Sequence, residues 1–142
     1  ETGPYLQYAG VRALRIFDRL RSDAGLEPES VMAELLAAAA EERRERVAAR
    51  LEADDGQRWE LLLARARLGA VGAQATRSPE SGVLAKYASA LAQHFNRFYH
   101  GYPILQAEDD ADRDLRILVA DAFARQLGRA LELLGIPVPE RM

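Results

Sequence analysis

Apolar residues recur along this chain at three- and four-residue spacing between clusters of turn residues. No stretch alternates over a strand's length, so the pattern predicts an all-α, single-domain bundle of about five helices. The first predicted helix follows an entry turn at Gly3-Pro4 and carries Tyr5, Tyr8, Val11, Leu14 (or Arg15), Phe17 and Leu20 to about Arg21, with Gly25 as its stop. Glu29 to Glu52 reads as one further helix, led by Val31, Met32, Leu35 and Leu36 through an alanine run. Its apolar face thins beyond Ala40 to Val47 and Leu51. Asp54-Asp55-Gly56 breaks the chain, and Trp59 to Gln74 predicts a third helix facing inward with Trp59, Leu62, Leu63, Ala66 and Val71. Ser78-Pro79-Glu80 signals the start of a fourth, with Val83, Leu84, Tyr87, Leu91, Phe95 and Phe98 on its buried face. The acidic stretch Glu108 to Asp114 suits a helix start. Leu115, Leu118, Val119, Ala122, Gln126 or Leu127, Ala130 and Leu134 follow as the fifth helix, capped by Gly135 and blocked by Pro137 and Pro139.

The stretch Leu91 to Leu105 stands out within this pattern. Phe95, Phe98 and Tyr102 share one helical face, and Tyr99 lies on its shoulder beside Asn96 and Arg97. Rings next to a guanidinium are a means of holding unstacked nucleotide bases.

Bulk properties narrow the function. At 142 residues the chain is one domain by length. No apolar run is long enough to span a membrane. It begins at Glu1 without an initiator methionine, which reads as an excerpt or a processed piece. A formal charge of -3 argues against a generic polyanion binder, so contact with nucleic acid has to rest on a local patch. With no cysteine, disulfides and thiolate metal sites are excluded. His94 and His100 lie roughly 240° apart around a helix and do not form a metal pair. Lys86 is the one lysine among 19 cationic residues, and arginine suits planar stacking and bidentate phosphate contacts.

Catalytic signatures are lacking: there is no Gly-rich phosphate loop, nucleophile elbow or His-Glu-x-x-His pattern. Glu108, Asp109, Asp110, Asp112 and Asp114 offer oxygen ligands to a divalent ion, but without the glycine and spacing of a calcium loop. Charge at a helix N-terminus accounts for them better. Arg43, Arg44, Arg46 and Arg50 suggest a phosphate patch, but the interleaved Glu41, Glu42, Glu45 and Glu52 favour a solvated face of Glu/Arg pairs.

Three segments are left over by a plain bundle: Gly3 to Ala9 with its two tyrosines, Asn96-Arg97-Phe98-Tyr99, and the closing Pro139-Glu140-Arg141-Met142. Glu1 to Ala9 resembles the segment that opens the C-terminal anticodon-binding domain of arginyl-tRNA synthetases. Phe95 to Tyr99, Ile104-Leu105, Leu133 to Ile136 and Pro139 to Met142 are similar to that family in order and spacing, from the first residue to the last. Residues 25–56 match least and look like a longer, charged version of a variable region.

The resemblance implies a DALR-type helical domain that grips the tRNA anticodon loop, with Tyr5, Tyr8, Tyr99 and Met142 around the bases and Asn96 and Arg97 as neighbours. It implies that the second anticodon base, a cytosine, is the main element read. It also implies a cytoplasmic enzyme that ligates arginine to its tRNA, with ATP bound by a catalytic domain outside this chain; no cofactor or metal is expected here. Gly10 departs from the family's usual histidine and Tyr102 from a common cysteine. A non-catalytic synthetase-like paralogue, acting as an interaction or regulatory module, is the alternative.

Overall fold

The computed structural model describes residues 2–53, 70 and 81–139. They form five α-helices and two 3-10 turns: α1 (Thr2–Ala24), α2 (Pro28–Leu36), a 3-10 turn at Ala38–Ala40, α3 (Glu41–Glu52), α4 (Ser81–Gly101), a second 3-10 turn at Ile104–Gln106, and α5 (Asp110–Leu133). The chain is all-α, with no strand among the described residues. The predicted helix Trp59 to Gln74 (save Ala70), the start signal Ser78-Pro79-Glu80 and the terminal Met142 lie outside them.

α5 is the central element, packed by α1, α2, α3 and α4. Leu115, Ile117, Val119, Ala120, Phe123, Leu127, Ala130 and Leu131 are all buried on it. Ile117 and Phe123, both at 0 % exposure, fall outside the predicted single face because this helix is enclosed on several sides. α4 packs along it, and Phe95 meets Phe123 with ring centroids 6.3 Å apart. The buried face of α4 is close to the predicted one: Leu84, Tyr87, Leu91, Phe95 and Phe98, joined by Ala88 and Ala92.

α1 differs from its prediction. It starts at Thr2, with Gly3 and Pro4 inside the first turn, where proline is tolerated. Its core face is Leu6, Ala9, Ala13, Ile16, Phe17 and Leu20, while Tyr8 and Leu14 are about half exposed. The predicted face stepped mostly by three residues, with Arg15 as the alternative to Leu14. At 3.6 residues per turn such a row drifts by about 60° per step and leaves one side of the helix. The true face alternates steps of three and four, which leaves the tyrosines beside the core.

The segment predicted as one helix from Glu29 to Glu52 is two. α2 ends at Leu36, Ala37 is extended (φ -63, ψ 144), and the 3-10 turn leads into α3. Alanine propensity favours continuity, but the break is held by Arg44, whose Nη1 donates to the carbonyls of Leu35 and Ala37 at 2.9 and 2.7 Å. The end of α2 leaves its last carbonyls without α-helical partners; the Ala37 carbonyl accepts from the Ala40 N–H at 3.1 Å as well.

The arginines of α3 are neither a phosphate patch nor a freely solvated face. Arg43 donates to Asp114 Oδ2 at 2.7 Å and also pairs with Glu34. Arg50 reaches Glu108 and Asp109 at 2.8 and 2.7 Å, and Arg46 alone of the four is exposed without a described partner. The acidic stretch is correspondingly more than a helix-start charge. Asp109 does cap α5, accepting from the Asp112 N–H at 2.8 Å. Asp112 and Asp114, at 1 % exposure each, are anchors for arginines.

Removing one partner of a buried pair leaves an uncompensated charge. Without Arg43, the nearest cation to Asp114 is Arg113 at 4.0 Å. Arg43→Ala is therefore expected to cost about 3 kcal/mol in denaturant unfolding. Arg50→Ala, whose partners face solvent, should cost much less.

Candidate functional site

The exposed strip of α1 meets the end of α4. Tyr8, Arg12, Arg15 and Arg19 follow one another at spacings of three and four, so they share one side of α1 next to its core face. From α4, Asn96 and Tyr99 come at i and i+3 onto the facing side.

Arg12 ties these elements together. Its Nη1 donates to Asn96 Oδ1 at 2.9 Å. The Asn96 amide turns its other end to the tyrosine and donates from Nδ2 to the Tyr5 hydroxyl at 3.0 Å. The guanidinium carbon of Arg12 lies 5.6 Å from the Tyr8 ring centroid and 5.1 Å from that of Tyr99, within cation–π range of both. One planar cation thus orients two rings on different helices. Both rings keep accessible surface: Tyr8 is 50 % exposed and Tyr99 is half-buried against the core.

A cleft of about 270 Å³ opens here, lined by Tyr8, Val11, Arg12, Arg15, Ile16, Arg19 and Tyr99. A second, of about 170 Å³, lies between α1 and the turn Pro103 to Gln106. The two share Ile16, Arg19 and Tyr99, so they meet at the Tyr99 ring as one groove. Its walls are aromatic and aliphatic and its charged lining residues are all arginines. That surface suits flat, apolar-faced ligands carrying negative charge.

Of the residues singled out from sequence, Tyr5, Tyr8, Asn96 and Tyr99 come together around Arg12. Arg97 does not join them; it is exposed, one step around α4 from Asn96. Met142 lies outside the described residues. The segment leading to it does fold back. Gln7 Nε2 donates to the Pro137 carbonyl at 2.9 Å, and Val138 packs over Gly10. Arg12 was missed because the sequence reading singled out the rings and the family-like segments and not this residue. Its position four residues after Tyr8 was the signal available.

Among the described residues no group of histidine, aspartate and glutamate side chains could hold a metal ion, and no helix is long and apolar enough to cross a membrane.

The described residues form an all-helical domain with an arginine-flanked aromatic groove. Comparison with known proteins is specific: the chain matches the DALR anticodon binding domain over residues 6–142, and it belongs to that family. It is 37 % identical over 142 residues to the arginine–tRNA ligase of Maricaulis maris (strain MCS10), covering 100 % of this chain and 21 % of that protein. It is 34 % identical over 140 residues to the arginine–tRNA ligase of Methanopyrus kandleri, covering 99 % of this chain and 20 % of that one. The arginine–tRNA ligase of Lactococcus lactis subsp. cremoris (strain MG1363) is 32 % identical over 142 residues, with 100 % and 21 % covered. The chain therefore spans about a fifth of the length of these relatives. No solved structure matches.

His94, beside this site on α4, is held below the usual imidazole range, first by burial and then by the Arg97 charge. Its Nδ1 is buried without a hydrogen-bond partner. A depressed histidine favours the neutral form in the folded state. As pH falls below the ordinary value of 6.5, the unfolded chain takes up the proton first and stability is lost. Denaturant unfolding followed from about pH 7.5 to 5.5 should show this decline, and His94→Gln should flatten it.

Proposed function

We propose that this chain is the anticodon-binding domain of an arginine–tRNA ligase and that the Tyr8–Arg12–Tyr99 groove receives bases of the anticodon loop. The observation that carries this reading is the pair of accessible rings within cation–π range of one guanidinium. An anticodon loop offers unstacked bases, and stacking on such rings is worth about 1–3 kcal/mol per base. Arg15 and Arg19 continue the strip away from Tyr8, where the sugar–phosphate backbone entering the groove would meet them. Their local charge serves in a chain whose formal charge is -3.

In this reading Tyr8 and Tyr99 stack and Arg12 orients both. Asn96, whose amide is engaged by protein at both ends, sets the position of Arg12 and Tyr5. Met142 closes the pocket, and main-chain and polar groups around it select a central cytosine by its base edges. Arg97 reaches outward to the loop's backbone. The domain supplies recognition without a cofactor of its own. A catalytic domain of the same cytoplasmic enzyme joins arginine to its tRNA with ATP. The departure at Gly10 is compatible with this reading, since the space beside it is filled by Val138.

Titration of an arginine-tRNA anticodon stem-loop by fluorescence anisotropy tests the proposal. Tyr8→Ala or Tyr99→Ala should each weaken binding by about five- to 100-fold, in line with loss of one stacked base; Tyr8→Ala should leave thermal stability nearly unchanged, and Tyr99→Ala, which packs partly on the core, should lower it. Replacing the central cytosine should weaken the wild-type complex as well, and affinity should fall steeply with added salt. Equal affinity for the cytosine-replaced loop, or full binding by both tyrosine variants, defeats the reading.

A further inference from the structure

α4 differs from the other helices in charge. Each of the others carries carboxylates, and two of them pair these with arginines along one face, as Arg19 with Asp23 and Arg125 with Asp121 at i, i+4. α4 has no aspartate or glutamate over its 21 residues, in a chain that contains 22 of them. Its solvent side bears Lys86, Gln93, Arg97 and His100, all exposed. Their spacings of seven, four and three place them on one strip about 21 Å long. Neither Lys86 nor Arg97 has an ion-pair partner among the described residues, whereas Arg43 and Arg50 are tied to acids at the start of α5. A hollow of about 310 Å³ opens along the strip between Lys86 and Gln93, floored by Ala85, Ser89 and Ala90.

The helix dipole favours cations at Arg97 and His100, near the C-terminal end. It gives no reason for Lys86 in the first half of α4, nor for the lack of any acid beside it. A plainly solvated face mixes signs, as α3 and α5 do. An acid-free strip with free cations suits a polyanion.

We propose that this strip is a second RNA-contacting surface, which tracks the backbone of the anticodon stem while the groove holds bases of the loop. This rests on the anticodon-loop reading. Around α4, Asn96 lies about 60° from Tyr99 and His100 about 40° beyond Asn96, leading on to Gln93, Lys86 and Arg97. His100 also sits against Tyr99, with ring centroids 6.3 Å apart. The strip therefore begins at the edge of the groove, on the outer side of the same helix. Duplex RNA is recognised by shape, through phosphates and the 2′-hydroxyls of its shallow minor groove. Lys86 and Arg97 supply charge for the phosphates, and Ser89 and Gln93 supply neutral groups for the hydroxyls. The short side chains that floor the hollow let a ribose–phosphate strand come close to the helix. Contacts of this kind carry no base sequence, so the strip adds affinity and orientation while the groove adds choice.

The test compares an arginine-tRNA anticodon stem-loop with the same loop as a single-stranded oligonucleotide, by fluorescence anisotropy over a range of salt. Lys86→Gln should weaken stem-loop binding by about five- to tenfold in ~0.1 M salt, and lower the slope of log affinity against log salt by about one. The loss should be the same for a stem-loop whose central cytosine is replaced, and absent for the single-stranded loop. Adding Arg97→Gln should lower the slope by about two in all. Arg46→Gln removes an exposed charge from α3 and is the control; it should leave both readouts at wild type. Wild-type affinity and slope in Lys86→Gln overturn the proposal and leave the strip to an acidic protein surface. So does an equal loss in Arg46→Gln, or an equal loss on the single-stranded loop. In those cases the anticodon reading stands as long as Tyr8→Ala still weakens binding. Stem-loop affinity that depends on Lys86 but not on Tyr8, Tyr99 or the central cytosine keeps the strip and ends the anticodon reading. A wild-type chain that binds neither RNA defeats both.

Discussion

Arg116 is the buried cation of the described residues, and the placement of the groove depends on it. A guanidinium taken out of water is costly unless its donors are met. Here Nη2 pairs with Asp112 at 2.7 Å and Nη1 donates to the Pro103 carbonyl at 2.6 Å, while Nε is buried without a hydrogen-bond partner. Its carbon stands 5.7 Å from the centroid of the Tyr102 ring, and that ring stacks on Phe98 at 5.7 Å between centroids. Core, turn and central helix are therefore joined at one charge. The turn pinned at Pro103 goes on to Gln106 and forms one wall of the second cleft. Ion pairing deep in the fold thus decides where a surface begins.

A similar division of labour runs through the other charges. The acids at the start of α5 are engaged by α3 and by Arg116, so that end of the molecule is internally compensated. Arg12, Arg15 and Arg19 line the groove on α1, Arg19 also pairing with Asp23 at 3.4 Å. A chain that is acidic in sum can thereby present a cationic strip, because the field at a surface depends on where charges lie and how many are already paired. The charged segment read as a plain solvated helix is in fact a strut. α3 buries only Val47 fully and is fastened to α5 largely through arginines.

Packing at the groove follows the same economy. α1 and α4 present Ala9, Ala13, Ala88 and Ala92 on their buried faces, which permits close approach of two helices. The larger side chains are left to the edges of the seam. There Tyr8 and Tyr99 can be partly supported by the protein and still offer surface to a ligand, and Arg12 sets their angle.

Periodicity alone determined the all-α class, the face of α4 and one side of α5, and the stops at Gly25 and Gly135, because these follow from local sterics and from burial of one stripe. Family resemblance marked Tyr5, Tyr8, Asn96 and Tyr99 before any contact was visible. Tertiary structure decided the rest. It turned α1 so that its tyrosines stand beside the core, since only a face alternating three- and four-residue steps stays on one side of a helix. It split α2 from α3, because the Arg44 side chain bonding back to the Leu35 and Ala37 carbonyls outweighs the continuity that alanine prefers. It also made Arg12 the centre of the site, since a long side chain's partners, 84 residues away in Asn96, are set by where the helices come to rest.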